Sequence, residues 1–213
     1  MQISTPPPIS SGSSGASSRA GHRSQEQRRD ATRTALLEAT IECLATYGYA
    51  KTTTGRIAEL ANVSRGAQPL YFRTRAELFH GAFAYLTERR VEAAREAFAG
   101  GPVSLEVALD TLWEAHQGPT FDAALEIWVA ARTDPDLREV MYDLEREVAI
   151  SIAHAAAGAL GEFAQRPTFI DDLVLALATI RGLAMLQISH GESPQVLARY
   201  WTMTRTRLVA LLG

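Results

Sequence analysis

Four arginines, Arg56, Arg65, Arg73 and Arg75, fall within one 20-residue stretch and alternate with small and apolar residues. A guanidinium presents five N–H donors in a planar fork, which fits phosphate oxygens and the O6 and N7 edge of guanine. The residues between them read as two short helices joined by a tight turn. Thr53 supplies a hydroxyl cap for a helix over about 54–61. Asn62 tolerates left-handed backbone angles. Val63 is a buried-type plug, and Ser64 caps a second helix over about 65–72. Ile57, Ala58, Ala61, Val63 and Phe72 form the expected core, with Ala58 small enough to let the helices cross closely. This is the pattern of a helix-turn-helix, which lays its second helix in a DNA groove.

Nothing else in the chain offers comparable chemistry. The single cysteine, Cys43, excludes an internal disulfide and a cysteine-cluster metal site. The five histidines are scattered, no metal-ligand pair stands at helical spacing, and no glycine-rich phosphate loop is present. The chain is therefore expected not to be an enzyme and to need no cofactor or metal. No uncharged apolar run approaches the ~18 residues of a membrane span, and the N-terminus lacks the basic-then-apolar order of a signal peptide. A cytoplasmic protein with no membrane partner is expected.

Charge sorts along the chain. The net charge of −3 divides into +5 over residues 19–75 and −8 over residues 76–213. A basic segment on an acidic body suits a nucleic-acid reader carried by a part that does not touch DNA.

The elements that position the arginines follow from periodicity. Residues 1–24 hold eight serines, Pro6-Pro7-Pro8 and few large apolar groups, so they are expected to form a disordered tail. Leu37, Ile41, Leu44 and Tyr47 recur every three or four positions in a first helix, which Gly48 is expected to end. A long helix begins near Arg75 with Leu78, Phe79, Ala82, Phe83 and Leu86 facing inward, and Gly100-Gly101-Pro102 stops it. Further helices are expected at about 104–116, 120–132, 135–160, 168–189 and 193–212. The fold class is all-α. Its expected organisation is a tail (1–24), a three-helix DNA-binding unit (25–74) and a larger helical body (75–213).

The motif resembles a known family. Gly48-Tyr49, Thr52-Thr53, Arg56-Ile57-Ala58, Val63-Ser64-Arg65-Gly66-Ala67, Phe72 and Thr74-Arg75-Ala76-Glu77-Leu78 are similar, in type and gap, to the N-terminal signature of tetracycline-repressor-type (TetR/AcrR) regulators. The segment Trp128-Val129-Ala130-Ala131-Arg132-Thr133-Asp134-Pro135-Asp136-Leu137 is similar to one subgroup's effector domain. The resemblance implies a homodimer on a palindromic double-stranded operator, released by a small, lipophilic effector. It places Thr53, Arg56, Arg65, Gly66, Ala67, Gln68, Leu70, Tyr71 and Arg75 against DNA. Arg65 is the guanine reader, and Arg75 grips phosphate at the start of the long helix.

For the body, the resemblance implies an apolar cavity with a few polar groups. The candidate walls are Trp113, His116, Phe121, Trp128, Arg132, Tyr142 and His154. The helix over 168–189 is apolar on more than one face and must be covered on both sides. Together with the last helix it is expected to form half of an intermolecular four-helix bundle, through Leu173, Leu177, Ile180, Tyr200, Trp201 and Leu208. Two positions depart from the family pattern. Asn62 replaces the usual glycine at small cost. Pro69 stands fifth in the recognition helix, where it deletes an amide and opposes the Arg65 carbonyl, at about 3 kcal/mol. An alternative reading follows from it: a ligand-sensing or interaction protein of this fold with weak or altered DNA binding.

Overall fold

A computed structural model describes residues 15–190 and 193–213. Among them the chain is all helical, as expected, with eight α-helices: α1 (Gly15–Lys51), α2 (Thr54–Leu60), α3 (Arg75–Phe98), α4 (Leu105–Glu114), α5 (Gly118–Ala131), α6 (Pro135–Leu160), α7 (Phe169–His190) and α8 (Pro194–Leu212). Residues 1–14 of the expected tail lie outside the described residues, whereas 15–24 continue α1. That stretch has no apolar stripe, but extending an existing helix costs far less than starting one.

Caps set most boundaries. Thr74, Ser104, Asp134 and Ser193 each accept a backbone amide at the start of α3, α4, α6 and α8, satisfying donors that a helix N-terminus leaves unpaired. Gly48 does not end α1 as expected. It has φ 74° and ψ 170°, and the helix kinks there and runs one more turn to Lys51. Thr52 sustains that turn, its amide and hydroxyl both donating to the Gly48 carbonyl at 3.2 and 2.8 Å. Only glycine occupies that backbone region without strain.

The core is continuous from the reader into the body. Leu36, Leu37 and Leu44 of α1, Ile57, Phe72, and Phe79 and Phe83 of α3 share one buried cluster with Ala123 and Ile127 of α5 and Leu137 and Met141 of α6. Cys43 is buried within it. A second cluster joins Leu109 and Leu112 of α4, Ile152 and Ala156 of α6, Leu173 and Ile180 of α7, and Trp201 and Leu208 of α8. Asp110 fastens this half. It accepts the Trp201 indole N–H at 2.7 Å and pairs with Arg205, and Trp201 stacks on Trp113 with ring centroids 5.0 Å apart.

Candidate nucleic-acid interface

The reader's first helix forms as its residue types dictate. The Thr53 hydroxyl accepts the Arg56 amide. At the other end Asn62 adopts φ 54°, while its amide donates to Glu59 and that of Val63 to Ala58. This paired closure satisfies the carbonyls a helix end leaves open. Ile57, Ala58 and Phe72 are buried, and Ala61 and Val63 pack half-buried against the same core.

The second helix departs from expectation. Residues 65–72 do not form an α-helix; a 3₁₀ turn, Gln68–Leu70, lies among simple turns. Pro69 is the cause. It sits in the first positions of the 3₁₀ segment, where its missing amide costs least. The chain shortens into i→i+3 bonds: Ala67 to Ser64, Leu70 to Ala67 and Tyr71 to Gln68 at 2.9–3.0 Å. Gln68 is thereby turned inward. It is 6% exposed, and its Nε2 donates to the Phe72 carbonyl at 3.0 Å. Its expected place against DNA is corrected accordingly. Leu70 is 75% exposed, Tyr71 is half-buried, and Arg65 and Gly66 face solvent.

Two arginines are anchored at the kinked end of α1. Arg56 donates to the Lys51 carbonyl at 2.8 Å and lies 4.3 Å from the Tyr47 ring centroid. Arg75 donates to the Tyr49 carbonyl at 2.6 Å and lies over the neighbouring rings of Tyr49 and Phe79, at 4.5 and 4.8 Å from their centroids. Both cap the negative end of a helix dipole. Each stays exposed with donors to spare. The bonds narrow the orientations of two side chains that would otherwise sample many rotamers.

Tyr49 links this end to the body. Its amide donates to Glu126 Oε2 of α5 at 2.7 Å, and its hydroxyl to Asp134 Oδ2 at the start of α6 at 3.2 Å. Burial holds the hydroxyl above the usual tyrosine range, so it stays a donor.

The body places its expected ligand residues unevenly. Arg132, Tyr142 and His154 are exposed and do not line the cleft between α3, α6 and α7. Phe121 is a core residue, 1% exposed, and Trp113 is committed to Trp201. Trp128 is half-buried, edge-on to Phe83 and Phe121. His116 is 1% exposed and uses both ring nitrogens. Nδ1 donates to the Leu112 carbonyl at 2.7 Å, and Nε2 accepts from Arg90 Nη2 at 3.2 Å. Burial, then the Arg90 charge, lowers its pKa to about 4. Sequence reasoning passed over Arg90 and Arg181, whose stripes look like solvated helix faces until α3 and α7 are packed.

The expected dimer residues need correcting too. Leu173, Ile180, Trp201 and Leu208 are buried within the chain, and Leu177 and Tyr200 are half-buried. Leu173 and Ile180 point inward because residues of α4, α6 and α8 cover that side of α7, and Trp201 and Leu208 of α8 pack into the same cluster. The large apolar residues left outward are Ile170, Val174, Leu175, Met185 and Ile188 on α7 and Met203 and Leu211 on α8.

A capped short helix, a left-handed turn at Asn62 and a following 3₁₀ segment, with outward arginines, on an all-helical body match the outline of a helix-turn-helix DNA-binding protein. Residues 36–82 match the family described as bacterial regulatory proteins, tetR family. An uncharacterised HTH-type transcriptional regulator of Mycobacterium tuberculosis is 34% identical over 161 residues, covering 74% of this chain and 82% of the relative. An HTH-type transcriptional repressor of the same organism is 30% identical over 179 residues, covering 81% and 90%. Among solved structures, EbrR, described as a multidrug binding protein complexed with imidazole, is similar with a TM-score of 0.59 at 22% identity, over 83% of this chain and 93% of that one. The chain belongs to the tetR family and is a transcriptional regulator. Among the described residues, no helix is long and apolar enough to cross a membrane.

Proposed function

We propose that this regulator is a cytoplasmic, non-enzymatic repressor that binds a palindromic operator as a homodimer and leaves it when a small effector enters the body. The observation that carries the reading is the anchoring of Arg56 and Arg75 on the kinked end of α1, beside the exposed Arg65. Thr53, Gly66, Ala67, Leu70 and Tyr71 complete the DNA-facing set. The outward apolar face of α7, with Met203 of α8, is the dimer seam. The named repressor among the relatives supports the sign of regulation, and the ligand carried by EbrR supports effector control. Tyr49 supplies the route: displacing α5 or α6 pulls on Glu126 or Asp134, and through Tyr49 on Arg75.

The test is a gel-shift titration with DNA from upstream of the protein's own gene. Arg65→Ala and Arg75→Ala each weaken binding about tenfold or more, as a lost charge-assisted contact requires. Arg75→Ala also lowers the slope of log affinity against log salt by about one. Unchanged affinity in both variants refutes the assignment, and a monomer by light scattering refutes the seam.

The shortened segment at Pro69 favours a second reading, in which DNA binding is weak and ligand sensing or protein contact is the main role. It requires Pro69→Tyr to bind DNA that the native chain does not. Nanomolar, sequence-specific binding by the native chain excludes it.

A further inference from the structure

Four buried side-chain nitrogens have no acceptor among the described residues: Arg90 Nε, Gln117 Nε2, Trp128 Nε1 and Arg181 Nε. All four are N–H donors. Buried polar groups are normally paired, so a group of orphans of one kind is informative. Three of them meet at one place. Arg90 and Arg181 line a cleft of about 200 Å³ between α3, α6 and α7. Trp128 lies beside it, with the Arg181 guanidinium carbon 4.1 Å from its ring centroid. The other walls are Phe83, Ile152, Val174 and Leu177, with Thr87 and Glu145 as further polar groups.

The charges in the cleft do not balance. Arg181 reaches Glu145 at 3.4 Å, the one carboxylate among the lining residues. The other polar partner of Arg90 is His116, a neutral acceptor. Burial and then the nearby Arg181 lower the Arg90 pKa to about 10, so it remains charged at neutral pH. Two cations against one carboxylate leave one positive charge over in a partly desolvated site. Such a charge is costly unless something pairs with it. His116 holds the Arg90 fork through Nη2, while the Nε hydrogen of each arginine is left without an acceptor, a demand that a carboxylate oxygen meets with a charge-assisted bond.

We infer that the effector is a small organic monoanion, a carboxylate on an apolar ring or short chain, with its head between Arg90 and Arg181 and its body against Phe83, Ile152 and Leu177. The inference rests on the effector-controlled reading above and names its ligand class. Glu145 selects against dianions, because a second negative charge would face it directly. The size of the cleft, below the ~300–1,000 Å³ of drug-sized sites, selects a single ring or a short chain. The walls supply no acceptor besides Glu145 and Thr87 to hold a cationic head. A neutral amide of the same shape matches the apolar walls and leaves the charge unpaired.

The test uses the full chain and four probes: benzoate, hexanoate, benzamide and benzylamine. Titration calorimetry is expected to show one benzoate or hexanoate per chain, benzamide about tenfold weaker or worse, and no benzylamine binding. Arg90→Gln and Arg181→Gln each weaken benzoate about ten- to a hundredfold, while Arg181→Lys recovers part of the loss. Melting curves of each variant report folding, and should one variant fail to fold, the other carries the test. Benzamide equal to benzoate, unchanged affinity in a folded variant, or no carboxylate binding below about 1 mM overturns the inference. The same four probes are then added to the complex with upstream DNA. Carboxylate binding that leaves the DNA complex intact keeps the ligand class and removes effector control. Release by benzamide alone does the reverse.

Discussion

His116 makes the body sensitive to acid, and the effect can be sized. Its ring sits 1% exposed beside Arg90, with Arg181 adding a smaller unfavourable charge and the Leu112 carbonyl a favourable one. The tautomer is fixed by its neighbours: an arginine only donates and a carbonyl only accepts, so Nδ1 holds the hydrogen. Protonating Nε2 would place a cation against Arg90 and break their bond. In the unfolded chain the imidazole takes up its proton near 6.5, and in the folded chain near 4. Between these values the unfolded state holds more protons, so stability falls as pH drops through that window and levels off below it. The full interval corresponds to about 3 kcal/mol. For a chain of this length that is a fall in melting temperature of about 10 °C.

The measurement is a set of urea melts from pH 7.5 to 4.5 on the native chain and on His116→Gln. Glutamine can still donate to Leu112 and accept from Arg90, but it does not titrate. Other groups act in both proteins, so their difference isolates the ring. The native chain should lose about 2.5 kcal/mol more than the variant between pH 7.5 and 4.5, just short of the full effect. Parallel loss in the two proteins, or a ring that NMR shows titrating near 6.5, refutes the argument.

Further substitutions test the scaffold. Gly48→Ala forces a side chain into a backbone region open almost only to glycine and sets its Cβ 3.1 Å from Glu126 Oε2; it should cost about 1–3 kcal/mol in urea melts and weaken operator binding through Tyr49. Asp110→Ala orphans the Trp201 indole N–H and unpairs Arg205; a loss of about 2 kcal/mol is expected, with a changed near-ultraviolet dichroism from the Trp113–Trp201 stack. Asn62→Gly relieves a left-handed residue and should stabilise the chain by up to about 1 kcal/mol, with an unchanged or slightly raised melting temperature refuting any special role for the asparagine side chain.

The reader and the helix boundaries were largely legible because they depend on local chemistry. Thr53, Thr74, Ser104, Asp134 and Ser193 are caps wherever such residues precede an apolar-periodic run, and Asn62 turns left-handed for reasons internal to its own peptide. The recognition segment was half legible. Pro69 announced a cost, but whether the chain would kink an α-helix or fall back on 3₁₀ bonds depended on Gln68 finding the Phe72 carbonyl inside the core. What failed was the sorting of apolar and aromatic residues by face. On α7, Leu173 and Val174 are equally apolar, yet one is buried under α4 and α8 while the other is exposed. Periodicity fixes the angle between two residues on a helix and leaves open which way the helix is turned.

The same limit explains why the body's chemistry was sought in the wrong residues. Aromatics and histidines attract attention as ligand contacts, yet Phe121 and Trp113 are spent on packing and His116 on holding Arg90. The signal lay in a deficit. Arg90 and Arg181 sit 91 positions apart in the sequence, each unremarkable on its own helix, and only packing α3 against α6 and α7 brings two guanidinium groups to one cleft with a single carboxylate between them. An unbalanced charge is a property of the assembled site rather than of any residue in it. It is also what gives the cleft a preference: apolar walls accept many bodies, whereas the leftover positive charge accepts only one sign of head group. A regulator built this way would discriminate by charge first and shape second, so acids of different outline should compete for the cleft more effectively than their amides.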